Sequence, residues 1–328
     1  MDERLAAELG AQAGSDEDFV DRVFELALRR PPEAEARERA LAKLAEGTLS
    51  RATLVHELAG SAEFERVRER DDAVALGLQA REREERLRWL QGPEGTDERV
   101  IEIPWVLSRL RRTGRVLEVG YAFAEPAYLG ALLRSGVELV GVDLASLDVD
   151  GMEKVEADVR ALPFGDGSFD QVLLVSTLEH VGADNSVYGL ETELADAGDA
   201  RLSALRSVRR ILRGSGSLLC TVPLGEPDDY GWFRQEDERG WTGLFTRAGF
   251  FVEEQETYEL TPEGWRAAPD FDPHGVRYGA RGPAASAVLC VDLRPGRFRR
   301  LATPHGLQTV ARRRAGRTYR RVRRDEGH

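Results

Sequence analysis

The segment EVGYAFAEP, residues 118–126, leaves a short apolar run with small residues at Gly120, Ala122 and Ala124. Small side chains let a ligand approach the backbone, and Pro126 suits a first helical turn. The helix N-terminus behind it offers unpaired N–H groups and a partial positive charge to an anion. Neither GxxxxGK followed by Ser or Thr nor GxGxxG is present, so a small anion such as an amino-acid carboxylate fits better than pyrophosphate. Asp143 follows Gly120 by twenty-three residues, the interval at which a carboxylate accepts from both hydroxyls of a ribose. A helix-capping or turn aspartate is the other role open to it. Asp158 offers a carboxylate to an exocyclic amine, or else belongs to a surface turn.

His180 is the candidate general base, because imidazole titrates near neutrality and the residue follows an apolar strand. A structural histidine bonded to nearby backbone is the competing role. Glu179 either orients it or caps a helix. His56, His305 and His328 read as surface residues. Cys220 and Cys290 both lie in apolar runs, too few for a disulfide framework or a cysteine metal site.

The elements that must position these groups alternate between strand and helix from residue 115 onward. Strands are expected at Arg115–Val119, Glu138–Val142, Lys154–Ala157, Phe169–Val175, Ser217–Val222, Phe250–Glu254 and Ala287–Val291. Helices are expected at Pro126–Leu133, around Ala200–Leu212 and at Thr242–Ala248. This alternation predicts an α/β fold with a mainly parallel sheet covered on both faces. Ligands of such sheets bind beyond the carboxyl ends of the strands, where 118–126, Asp143, Asp158 and His180 all fall. Two further segments suit lids, or else a surface loop packed by its own aromatics and a disordered stretch. The stretch Tyr258–Ser286 carries Trp265, Phe271, His274 and Tyr278, whose rings suit a sugar face or another planar acceptor, and an acidic loop spans 184–199.

The run Asp158-Val-Arg-Ala-Leu-Pro163-Phe164-Gly-Asp-Gly-Ser168-Phe169-Asp170 precedes QVLLVSTLEHV. It is followed by Arg209-Arg210-Ile211-Leu212-Arg213-Gly214-Ser215-Gly216 with Pro223, and by Ala248-Gly249-Phe250. Together these resemble the class I S-adenosylmethionine-dependent methyltransferases of the type 11 group over about 101–293. The resemblance implies a Rossmann-like, seven-stranded methyltransferase sheet with S-adenosyl-L-methionine as cofactor. It places Glu118, Gly120, Ala122 and Ala124 around the methionine end. Asp143 with Leu144 would hold the ribose, Asp158 with Val159 the adenine, and Ser176 would line the pocket near the methyl group. No metal is implied. Ala122 and Ala124 stand where the family carries glycine, and each added methyl could crowd the cofactor at about 1–3 kcal/mol. A non-catalytic cofactor-binding or scaffold protein with a degenerate methyltransferase fold is therefore the alternative to an active enzyme.

Residues 1–70 read as a small all-α module, with Ser50 and Ser61 as helix N-caps. Phe19-Val20, Leu28-Arg29-Arg30-Pro31-Pro32, Gly47, Ser50-Arg51 and Ser61-Ala62-Glu63-Phe64 resemble a bacterial domain related to phycobilisome linkers; the usual glycine and tryptophan between the second and third blocks are missing. That domain often accompanies glycan-processing enzymes, which implies O-methylation of a saccharide or cell-envelope glycan precursor. Residues 71–100 read as a charged helical linker, solvated up to Gly92, and 294–328 as an Arg-rich tail. The tail holds twelve Arg against Asp325 and Glu326, leaving 34 basic against 56 acidic residues elsewhere. So acidic a body repels nucleic acid, whereas the tail suits an anionic membrane surface, the phosphates of a lipid-linked precursor or the acidic body itself, or else is a solvated, partly disordered end. With no long apolar run and no secretory leader, the expected location is the cytoplasm.

Overall fold

The computed structural model describes residues 14–190, 197–282 and 284–296, with backbone only at 197–199. The N-terminal helices are α1 (Asp16–Leu28), α2 (Ala34–Ala45), α3 (Arg51–Ala59) and α4 (Ala62–Glu82). Ser15, Ser50 and Ser61 cap α1, α3 and α4, each accepting from the backbone N–H three residues on. Val20, Val23, Phe24, Ala27, Leu54, Val55 and Phe64 form a separate small core among these helices.

Helix α4 corrects the expectation of a solvated linker helix. It runs unbroken through position 70 and ends at Glu82, nine residues short of Gln91. Ala73 and Val74 are buried in one cluster with residues of α5 (Arg99–Leu107), and Ala80 is buried further along α4. The helices approach closely because Gly77 carries no side chain: a Cβ there would lie 2.7 Å from Leu107 Cβ and 2.9 Å from Pro104 Cα. Helix α5 likewise spans the expected boundary at 100. Gly92, expected to end a linker, exchanges two backbone hydrogen bonds with Trp265 (3.1 and 2.9 Å).

The strands are β1 (Arg115–Val119), β2 (Glu138–Asp143), β3 (Glu153–Glu156), β4 (Phe169–Val175), β5 (Leu212–Pro223), β8 (Phe250–Thr261), β9 (Gly264–Ala267) and β10 (Ala287–Pro295). A two-stranded hairpin, β6 (Asp228–Asp229) with β7 (Arg234–Gln235), lies between β5 and β8. Helices α6 (Pro126–Leu133), α7 (Ala197–Ile211) and α8 (Glu238–Arg247) complete the fold. The large sheet has the order β3-β2-β1-β4-β5-β10-β8-β9. The first five strands are parallel and the last three antiparallel. This is the Rossmann-like α/β arrangement, with eight strands rather than seven. The extra strand arises because β8 runs past Glu254 to Thr261 and turns back into β9, inside the segment expected to be a loop.

Near-continuous apolar runs such as Val172–Leu174 and Leu218–Cys220 are buried by layers on both faces, as parallel strands require. Strand order reverses between β1 and β4, which opens a crevice at their carboxyl ends. No helix among the described residues is long and apolar enough to cross a membrane. The chain divides at Pro295, and the arginine-rich tail with its expected anionic partners lies outside the described residues beyond Gly296.

Candidate functional site

A cavity of ≈ 370 Å³ opens at that crevice, within the range of small-molecule sites. β1 delivers Glu118 and Val119 into it, and Gly120 turns the chain away with φ +90°. A Cβ at Gly120 would lie 2.9 Å from Thr177 Oγ1, so both conformation and space select glycine. A short turn over Tyr121–Phe123 then leads into α6.

Asp143, at the end of β2, ties that turn down. Its Oδ2 accepts from the Ala122 N–H (3.0 Å) and its Oδ1 from the Ala145 N–H (3.1 Å). Burial raises its pKa while these backbone donors oppose the rise. Asp143, Leu144 and Ala124 all line the cavity. Ala122 is not among the lining residues; its N–H rather than its methyl does the work. Ala124 has φ −66° and ψ 148°, a conformation any residue adopts, and Ala122 does not have positive φ, so neither alanine needs the freedom of glycine. Asp158 and Val159 line the far end beyond β3. The Asp158 carboxylate accepts from Arg160 N (2.7 Å) at Oδ1 and pairs at Oδ2 with Arg160 Nε (2.8 Å) and Nη2 (2.6 Å), leaving acceptor capacity on Oδ1.

Ser176 leaves β4 with φ +44°. Its N–H is shared between Thr221 O and Thr221 Oγ1, and its Oγ donates to Glu102 Oε1 (2.8 Å). Glu102 is fully buried on α5 and also pairs with Arg99, which lines the cavity with its side chain 29% exposed. Burial works against the Arg99 charge, but Glu102 and Glu98 outweigh it and hold the guanidinium above its ordinary pKa. Burial pushes Glu118 up to about 8 and Glu98 to about 7. The Tyr128 hydroxyl, donating to Glu118 Oε2 (2.9 Å), partly opposes the first shift.

His180 lines the opposite wall. Its Nδ1 lies 2.9 Å from Trp232 O, and since a carbonyl only accepts, Nδ1 carries the proton and Nε2 has a free lone pair. Burial lowers its pKa to about 4. Glu179 lies on the Nε2 side, with Oε1 4.0 Å from His180 Nε2 and Oε2 without a hydrogen-bond partner among the described residues. Burial raises Glu179 to about 8. Tyr188 packs edge-on to His180 at 5.6 Å and against Phe123 at 4.9 Å, while Trp232 lies 5.2 Å from the imidazole.

Sequence reasoning missed Arg99, Glu102, Phe123, Tyr128 and Trp232. Glu102 had left a signal, as the one charge in an otherwise apolar Val100–Leu107. Of the expected lid aromatics, Tyr278 joins Phe233 at 4.7 Å behind Trp232. Trp265 does not reach the cavity; it is buried with Nε1 donating to Thr96 O (3.1 Å), and its place facing an acceptor is withdrawn. Tyr188 belongs to the acidic loop, of which 191–196 lie outside the described residues.

Residues 117–220 match the family model of a methyltransferase domain. No curated protein sequence matches the chain. Among solved structures, 1,6-didemethyltoxoflavin-N1-methyltransferase of Burkholderia thailandensis, with bound 1,6-didemethyltoxoflavin and S-adenosylhomocysteine, is similar at 17% identity. That match covers 56% of this chain and 72% of the other, with a TM-score of 0.39. A SAM-dependent methyltransferase of Methanosarcina mazei is 14% identical over 59% of this chain and 97% of its own (TM-score 0.40). Another from Thermotoga maritima is 18% identical over 59% and 87% (TM-score 0.39).

Proposed function

We propose that the methyltransferase domain matched at residues 117–220 makes this chain an S-adenosylmethionine-dependent methyltransferase. The observation that carries the reading is the meeting of Gly120, Asp143, Asp158 and His180 on one cavity at the switch in strand order. The residues present fit the cofactor. Gly120 lines the cavity where the chain turns away from β1, and Asp143 and Asp158 hold acceptor oxygens at successive strand ends. When bound, S-adenosylmethionine supplies an electrophilic methyl group on a sulfonium. Asp143 accepts from the ribose while bracing the turn beneath it, and Asp158 with Val159 faces the adenine.

His180 takes the proton of the acceptor. The Trp232 carbonyl holds the tautomer with Nε2 unprotonated, and burial keeps the ring neutral at physiological pH. Glu179 is the carboxyl group beside the reacting nitrogen, its Oε1 4.0 Å from Nε2. The acceptor is a hydroxyl of a saccharide or cell-envelope glycan precursor; the Tyr188 ring, which lines the cavity beside His180, supports it, because such rings pack on sugar faces. Two buried free thiols, Cys220 and Cys290, support a reducing cytoplasmic setting.

The test is calorimetric titration of the purified chain with S-adenosylmethionine and S-adenosylhomocysteine, followed by methyl transfer to nucleotide sugars. Micromolar binding of either ligand is expected. Loss of turnover in His180→Ala, with binding retained, is the second expected result. Binding of neither ligand overturns the cofactor reading, and unchanged turnover in His180→Ala overturns the base.

A further inference from the structure

One cation that lines the cavity, Arg99, comes from outside the matched segment. Arg99 sits in the first turn of α5, and its Nη1 is taken by Glu102. The other guanidinium nitrogens have no hydrogen-bond partner among the described residues, although the side chain lines the cavity. Two contacts fix its position. Helix α5 is seated on α4 through the gap at Gly77, and Glu102 is anchored to Ser176 at the end of β4. The guanidinium is thus a preorganised fork with donors to spare, the geometry that recognises a carboxylate.

Its place along the sheet edge is informative. Asp158 follows β3 and Ser176 follows β4, three strand spacings away, or roughly 14 Å at about 4.8 Å per strand. Glu118, Ser176 and Arg99 line the same cavity away from Asp158, where the 5′ substituent of an adenosine held by Asp158 and Asp143 would lie. The alternative anion site expected from sequence, the N-terminus of α6, already carries its own carboxylate. Glu125 is the N-cap residue there, lines the same cavity, and pairs with Arg70 at 3.5 Å. A second carboxylate at that point would meet a like charge.

We propose that Arg99 holds the carboxylate of the amino-acid end of S-adenosylmethionine. The assignment rests on the cofactor reading above and adds to it a binding residue from α5. Helices α4 and α5 thereby complete the cofactor site rather than merely precede β1 in the chain.

The experiment compares S-adenosylmethionine with its decarboxylated form, which keeps the sulfonium, the amine and the adenosine. Calorimetry on the full chain should show the unaltered protein preferring the carboxylate ligand by about 10- to 100-fold, the range for hydrogen bonds to a charged group. Arg99→Met should abolish that preference while binding of the decarboxylated ligand stays within about threefold, which also reports that the variant is folded. Arg99→Lys, which keeps charge but loses the fork, should retain part of it. Equal affinity of the unaltered protein for the two ligands overturns the assignment and leaves the cofactor reading standing. So does a preference that survives in Arg99→Met. Binding of neither ligand by the unaltered protein overturns both.

Discussion

Glu118→Gln should make the protein markedly more stable in mild alkali while leaving its stability near pH 5 almost unchanged. Glu118 is 1% exposed, and burial lifts its pKa from 4.5 to about 8 in the folded chain. Between these values the folded protein holds a proton that the unfolded chain releases, so stability falls as pH rises. The loss begins above about 4.5 and is complete above about 8. At about pH 8 it amounts to roughly 4 kcal/mol, from 1.36 kcal/mol per pKa unit. Glutamine reproduces the protonated acid, with an oxygen for the Tyr128 hydroxyl and an N–H in place of the acid O–H. It cannot ionise. Glu98 and Glu179 are also raised by burial and titrate in the same window, but they do so in both proteins, so the difference isolates Glu118. Thermal unfolding followed by circular dichroism between about pH 5 and pH 8 is the assay. The variant should melt roughly 10 °C above the parent at the alkaline end, at about 2–4 °C per kcal/mol for a chain of this size. An identical slope of Tm against pH in the two proteins would refute the buried, proton-holding Glu118.

Asp143→Ala removes the carboxylate that accepts from two backbone N–H groups, Ala122 in the turn at 121–123 and Ala145 after β2, and should cost about 2–4 kcal/mol in urea unfolding as well as cofactor affinity; an unchanged midpoint would show that the turn holds itself. Gly77→Ala should destabilise by about 1–3 kcal/mol through overpacking against Pro104 and Leu107, although helix propensity alone favours alanine by about 1 kcal/mol. A gain in urea midpoint would mean that α4 and α5 separate at little cost. The His180 ring, followed by NMR, should titrate near pH 4 rather than 6.5, because burial disfavours the imidazolium. A midpoint near 6.5 would place it in water.

Much of the site was legible in the sequence because its parts are local. A strand ending on Gly120, an aspartate ending β2 and another following β3 each follow from a few consecutive residues, and parallel strands then bring their carboxyl ends together. The N-caps at Ser50 and Ser61 are similarly local, since a hydroxyl need only reach the N–H three residues on. What the sequence could not reveal depends on contacts between distant segments. Arg99 and Glu102 look like linker and apolar helix until Gly77 admits α5 to α4 and Ser176 meets Glu102 across 74 positions. Trp265 has the ring expected of a substrate lid, yet β8 continues long enough to fold it back under Thr96. Ala122 resembles an obstruction in sequence, but its methyl is absent from the cavity lining and its N–H braces Asp143. Side-chain type and spacing specify which strand ends can hold a ligand. Only the packing of helices and the extension of strands decide which charges and rings join them there, because those contacts depend on shape complementarity between segments far apart in the chain.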